Sequence, residues 1–136
     1  MPFQLDPQLV KDCHLLLQWP QCHILLHRNA IIPWFILVPQ TDYADLLEMP
    51  ADQREAVLNE AASLAKMIQQ RWNLKKINVA QLGNVVPQMH LHVIGRSPTD
   101  PCWPQPIWGN LPEETLDYSV TEVQEIRASC SLLNPH

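Results

Sequence analysis

The stretch Pro87-Gln-Met-His-Leu-His-Val-Ile-Gly-Arg96 sets polar side chains at every second position of an apolar run. In a strand successive side chains point to opposite faces, so Gln88, His90 and His92 share one face while Met89, Leu91 and Val93 share the other. The apolar set can enter a core. The polar set then stands in a row, its members about 6.5 to 7 Å apart along the backbone.

Such a row has three uses. Two alternate histidines can reach one metal ion, but a catalytic zinc takes three protein ligands, and glutamine is a poor one. The third ligand would have to come from His23, His27 or a distant carboxylate. Alternatively, both imidazoles simply satisfy hydrogen bonds on a half-exposed sheet face. The third use is nucleophilic catalysis at phosphorus. A neutral imidazole carries a free lone pair, and a reference pKa of about 6.5 keeps most of it unprotonated at neutral pH. Covalent attack divides one difficult displacement into two easier ones, with flanking polar groups on the phosphate oxygens or the leaving group. The residues by themselves leave all three open.

The elements that must position this row can be read from the flanking sequence. From Pro50 to about Trp72, ADQREAVLNEAASLAKMIQQR places Val57, Leu58, Ala61, Leu64, Ala65 and Ile68 in one apolar stripe, which predicts an amphipathic helix lying on a sheet. KINVAQL (76–82) predicts a strand, Gly83-Asn84 a turn, and the segment from Gln88 the returning strand. CHILLH (22–27) and IIPWFILVPQ (31–40) predict a hairpin across Arg28-Asn29-Ala30. Near the N-terminus, Asp6-Pro7 suits a helix start, and Leu9, Val10, Cys13, Leu16 and Leu17 continue it at helical spacing towards Trp19-Pro20. After Arg96, SPTDPCWPQPIWGNLPEE contains five prolines and is excluded from a sheet interior. It is expected to wrap over a surface that its tryptophans cover. Thr121 and Gln124 offer a capping-box pattern for a last helix ending near Leu133.

The 136 residues suffice for one domain with one core, so 1–136 is expected to be a single domain. A net charge of −5 argues against a nonspecific nucleic-acid coat, which needs a basic surface. No apolar run approaches the roughly 20 residues of a membrane span. Asp6, Lys11 and Asp12 interrupt any signal peptide, and Cys13, Cys22, Cys102 and Cys130 lack CxxC spacing. Both features predict a cytoplasmic chain with reduced thiols.

Gln88-Met-His90-Leu-His92-Val-Ile94 resembles the signature of the histidine triad (HIT) family, in which histidine alternates with hydrophobic residues three times. Here glutamine stands for the first histidine. IPWFILVP (32–39), the 50–72 helix and KINVAQLGN resemble the family's elements in order, so the likeness covers roughly residues 20–96. The run from NVAQLGNVVPQMHLHVIGR through CWPQPIWG is similar to a bacterial HIT-like branch of hydrolases in which glutamine at the first position is usual. The resemblance implies an α+β fold: an antiparallel sheet of about five strands with one long helix and flanking N- and C-terminal helices, the Pro/Trp-rich segment 97–136 following the core.

It also implies roles. His90 matches the histidine that attacks the α-phosphorus of a nucleotide, and His92 the one that meets phosphate oxygen. Gln88 matches the position near the leaving group, where an amide can donate a hydrogen bond but not a proton. A phosphate leaving group, needing little protonation, is therefore expected over an amine. Asn84 falls where the family often has a polar side chain near the phosphates, Asn78 on the strand bordering the site, and Asn29 near a ribose-binding aspartate; each could equally be a turn or strand residue. Arg96, past the strand end, could meet an outer phosphate or be a solvated charge. Trp34, Trp103 and Trp108 could pack or flank a base. His14, His23, His27 and His136 receive no role. The expected activity is hydrolysis or transfer at the α-phosphate of a nucleoside phosphate derivative such as a dinucleoside polyphosphate. No metal is required, although Mg2+ could accompany a polyphosphate. A homodimer is expected, and the other reading is a nucleotide-binding module without catalysis.

Overall fold

A computed structural model describes residues 2–133; His136 lies outside them. In chain order the elements are α1 (Pro7–Asp12), β1 (Cys13–Gln18), β2 (Cys22–His27), β3 (Trp34–Pro39), α2 (Ala51–Trp72), β4 (Lys76–Ala80), β5 (Leu91–Arg96) and α3 (Val120–Leu132). The five strands form one antiparallel sheet in the order β1-β2-β3-β5-β4. The α+β architecture, the long helix and the hairpin of β2 and β3 are as the sequence predicts.

The N-terminal helix is shorter than its periodicity suggests. Asp6 does cap it, its carboxylate accepting from the Gln8 N–H at 2.8 Å, but the helix ends at Asp12 and the chain continues as β1. β1 pairs with β2 from Cys13↔His27 to Gln18↔His23, with a register shift between Leu15 and Leu17. A bulge adds one residue to the strand, so Cys13, Leu16 and Trp19 are buried at intervals of three. That interval imitates a helical stripe.

α2 buries Val57, Ala61, Leu64, Met67 and Ile68 against Phe35, Leu37, Leu91 and Val93 on one face of the sheet, where α3 adds Val123, Ile126 and Cys130. The opposite face carries Leu25, Trp34, Ile36, Val38 and Ile94, covered by Leu9 of α1 and by Cys102 and Ile107 of the segment after β5. All residues of β3 and β5 are consequently buried. This explains why WFILVP reads as an unbroken apolar run: a strand covered on both faces has no polar side to alternate with.

α2 approaches β5 so closely that a Cβ at Gly95 would stand 2.6 Å from Leu74 Cδ1 and 2.7 Å from Ile68 Cγ2. The helix stops at Asn73, which adopts a left-handed conformation (φ 53°) and donates its N–H to the Gln69 carbonyl. α3 begins with a capping box two residues before the predicted pair. Ser119, in extended conformation, accepts from the Glu122 N–H, and Glu122 accepts from the Ser119 N–H at 2.9 Å. Arg127 of α3 donates to the Leu16 and Leu15 carbonyls at 2.8 and 3.0 Å, satisfying acceptors beside the β1 bulge.

Arg96 is not solvated, and its guanidinium is taken up by protein partners. It is 3% exposed, with Nε and Nη2 on the two oxygens of Asp100, Nη1 on Asn78 Oδ1 at 2.8 Å and Nη2 also on the Gln105 carbonyl at 2.8 Å. One buried guanidinium thus fastens the proline-rich segment to the sheet. Among the described residues, no helix is long and apolar enough to cross a membrane.

Candidate functional site

His90 and His92 are 6% and 5% exposed, with ring centroids 5.0 Å apart and planes at 69°. Met89, Leu91 and Val93 enter the α2 core as the alternation requires. Each imidazole has one nitrogen committed. His90 Nδ1 lies 2.7 Å from the Gln88 carbonyl oxygen, which can only accept, so Nδ1 carries a proton and, in the neutral ring, the lone pair lies on Nε2. His92 Nδ1 accepts the indole N–H of Trp34 at 2.9 Å. Burial, seconded by the neighbouring His90 and His27, draws the His92 pKa from 6.5 down to about 3.

Both histidines line a cavity of about 560 Å³. One wall comes from α1, through Gln8, Leu9 and Asp12, with both Asp12 oxygens held by the Gln8 amide at 3.0 Å. Another comes from the loop at Gly83, Asn84, Val85 and Val86, which Gly83 (φ 73°) allows to turn sharply. Aromatic rings form the rest. Trp34 stacks on His27 with centroids 3.7 Å apart and planes at 6°, and Trp108 meets His92 edge-on at 4.9 Å. The cavity is mainly apolar with a few convergent polar groups, which suits a small ligand with one flat hydrophobic part.

Of the residues named from sequence, His90, His92, Asn84, Trp34 and Trp108 meet at this cavity, and Trp103 does not line it. Gln88 does not line it. The alternation extends past the start of β5 at Leu91 as far as Met89, which faces the core, but Gln88, three residues ahead of the strand, does not share the cavity face of His90. Its side chain instead accepts from the Asp6 N–H and donates to the Gln4 carbonyl, each at 2.8 Å, pinning the N-terminal segment that leads into α1. Asn78 is engaged with Arg96. Asn29 closes its own turn, Oδ1 accepting from the Ile31 N–H, and supports the site only indirectly by donating its N–H to His27 Nδ1 at 3.1 Å.

Sequence reasoning placed neither Asp12 nor Gln8 at the site, left His27 without a role beyond that of a conceivable metal ligand, and left Trp34 and Trp108 open between packing and flanking a base. The signal for His27 was its place at the end of a strand pairing with the one that carries Trp34. Asp12 was hidden by the overlong helix. His27 is half-buried in the ring stack, and this desolvation lowers its pKa from 6.5 to about 4 against the opposing pull of Asp12 and Asp117. Among the described residues, no three His, Cys, Asp or Glu side chains converge as a metal site.

The five-stranded antiparallel sheet with its helices matches the fold of solved histidine triad proteins. The HIT domain model matches residues 8–99, and the chain belongs to that family. A histidine triad protein from Marinobacter aquaeolei is 36% identical with a TM-score of 0.87, over 97% of this chain and 96% of that one. One from Sinorhizobium meliloti is 30% identical (TM-score 0.88, 96% of each chain), and one from Bradyrhizobium japonicum is 29% identical (TM-score 0.87, 96% of this chain and 97% of that one). A comparison with curated proteins finds no match. Family membership points to nucleotide binding or nucleotidyl hydrolase or transferase chemistry, in a family that also has non-catalytic members.

Proposed function

We propose that the protein hydrolyses, or transfers from, a nucleoside phosphate derivative at its α-phosphate, with a dinucleoside polyphosphate as the model substrate. The observation that carries this reading is the hydrogen bond from His90 Nδ1 to the Gln88 carbonyl, which in the neutral imidazole places the proton on Nδ1 and the nucleophilic lone pair on Nε2, in a residue lining the cavity. His90 Nε2 attacks phosphorus as the P–O bond to the leaving phosphate breaks, the electron pair departing with that phosphate. Water then attacks the phosphorus, the P–N bond breaks, its electron pair returns to Nε2, and a nucleoside monophosphate is released. His92 and Asn84 meet the phosphate oxygens. Trp34, Trp108 and the apolar side chains of the cavity hold the base, with Asp12 on the polar side.

With glutamine at the first triad position, as in the bacterial branch it resembles, no side chain there delivers a proton. Phosphate is therefore the leaving group and amines depart slowly. No cofactor is required, although Mg2+ would neutralise part of a polyphosphate. Asn29 and Asn78 act through His27 and Arg96 rather than on the substrate. A homodimer in the cytoplasm and a single domain spanning 1–136 complete the proposal. The test is incubation with adenosine and guanosine phosphate derivatives, analysed for monophosphate products, beside His90→Asn. Monophosphate made by the native chain and abolished by His90→Asn supports the hydrolase. Binding without turnover in both would make the chain a nucleotide-binding module.

A further inference from the structure

We infer that Trp34 is a positioning residue whose indole N–H fixes His92 as the neutral tautomer protonated on Nε2, so that His92 serves as a hydrogen-bond donor beside a lone-pair-bearing His90. The inference rests on the roles proposed above for the two histidines, and its geometry stands independently of them. Indole nitrogen is a donor only. Its 2.9 Å contact with His92 Nδ1 therefore requires a lone pair on that nitrogen, and in a neutral ring the proton must then sit on Nε2. His90 is held the opposite way, because a carbonyl can only accept. Two chemically identical side chains, two residues apart, are thus set into complementary states by one donor and one acceptor.

The indole is itself immobilised. Trp34 belongs to β3, paired to β5 through Trp34↔Ile94 and Ile36↔His92, so its place beside His92 is set by sheet register. Its ring is clamped between the face of His27 at 3.7 Å and the edge of Trp108 at 6.1 Å. An imidazolium at position 92 would present N–H groups from both nitrogens and oppose the indole N–H head to head. The contact therefore disfavours protonation, in the same direction as burial. The titratable groups that face His92 are His90 beside it, His27 behind the Trp34 ring and Asp12 on the cavity wall. No position in the sequence motif itself reports this, because the partner lies on another strand.

The test is long-range proton–nitrogen correlation of the histidine rings in the substrate-free protein, with His92 assigned by its loss in His92→Gln. In the native protein His92 should show an unprotonated Nδ1 and a protonated Nε2, unchanged across about pH 5 to 8. Trp34→Phe keeps an aromatic face on His27 but removes the donor. It should introduce a second tautomer or a titration within that window and lower kcat roughly tenfold to a hundredfold, by analogy with partners that orient metal-bound imidazoles. Benzothienylalanine at position 34 has the shape of tryptophan with sulfur in place of N–H, and should reproduce both changes without a packing defect. A native His92 protonated on Nδ1 overturns the inference. So does a benzothienylalanine variant with the native ring pattern and native kcat. If the native protein turns over no nucleotide, the hydrolase reading fails, while the spectra, recorded without substrate, still decide the role of Trp34.

Discussion

The proposed mechanism puts the same side chain to different uses at His90 and His92, and their substitutions should separate accordingly. His90→Asn removes the nucleophile but only one of several ligand contacts, so kcat should fall by orders of magnitude while monophosphate affinity changes modestly. His92→Asn should lower rate and affinity together, because a phosphate contact is used in both the ground and transition states. Rate assays paired with calorimetry check both; equal losses of affinity in the two variants would contradict the assignment. Gln88 acts on its neighbours. Its main-chain carbonyl, which orients His90, survives Gln88→Ala, whereas its bonds to residues 4 and 6 do not. The variant should therefore raise KM with kcat nearly unchanged, by about fivefold if one hydrogen bond of about 1 kcal/mol supports the α1 wall. A kcat loss without a KM change would return Gln88 to the chemistry. At this scale the motif made His90 and His92 legible because strand alternation is local. How Trp34, His27 and Asp12 stand to the histidines was not legible, because it depends on sheet register and on where α1 ends.

Among the elements, the contact of α2 with β5 carries the greatest constraint. Gly95→Ala places a methyl group within 2.7 Å of Ile68 and Leu74 side-chain carbons, and either α2 or β5 must shift. Overpacking of this kind costs about 1 to 3 kcal/mol, which urea unfolding would read as a lowered midpoint at unchanged slope. An unaltered midpoint would show that the helix yields freely. The long helix was legible from its stripe and the hairpin from two apolar runs around a turn. The failures share one cause. A bulge in β1 gave a strand the three-residue burial interval of a helix, and the Ser119–Glu122 box preceded a similar pair by two residues. Local patterns do not say which of two neighbouring alternatives the tertiary contacts will select.

For the molecule as a whole, pH links the site to stability. The folded His27 and His92 have pKa values of about 4 and about 3, drawn below the ordinary 6.5 chiefly by burial. Between these values the unfolded chain binds more protons, so stability present above about pH 6.5 is lost as pH falls through that range. Replacing His27 by Gln should flatten the slope of stability against pH in this window, measured by urea midpoints; an unchanged slope would show that His27 protonates without cost. The segment after β5 shows how far function depends on the whole chain. Its prolines marked it as a surface wrap, but not that the buried Arg96 anchor and the packed Cys102 and Ile107 would hold it where Trp108 meets His92. All of these parts converge on one claim, that the free nitrogen of His90 bonds to phosphorus during turnover. Mass spectrometry of native protein quenched during turnover of a dinucleoside polyphosphate tests it most directly. A nucleotidyl group on the His90 imidazole, absent from His90→Asn, is the predicted result; repeated failure to find that adduct while monophosphate is being produced would contradict it.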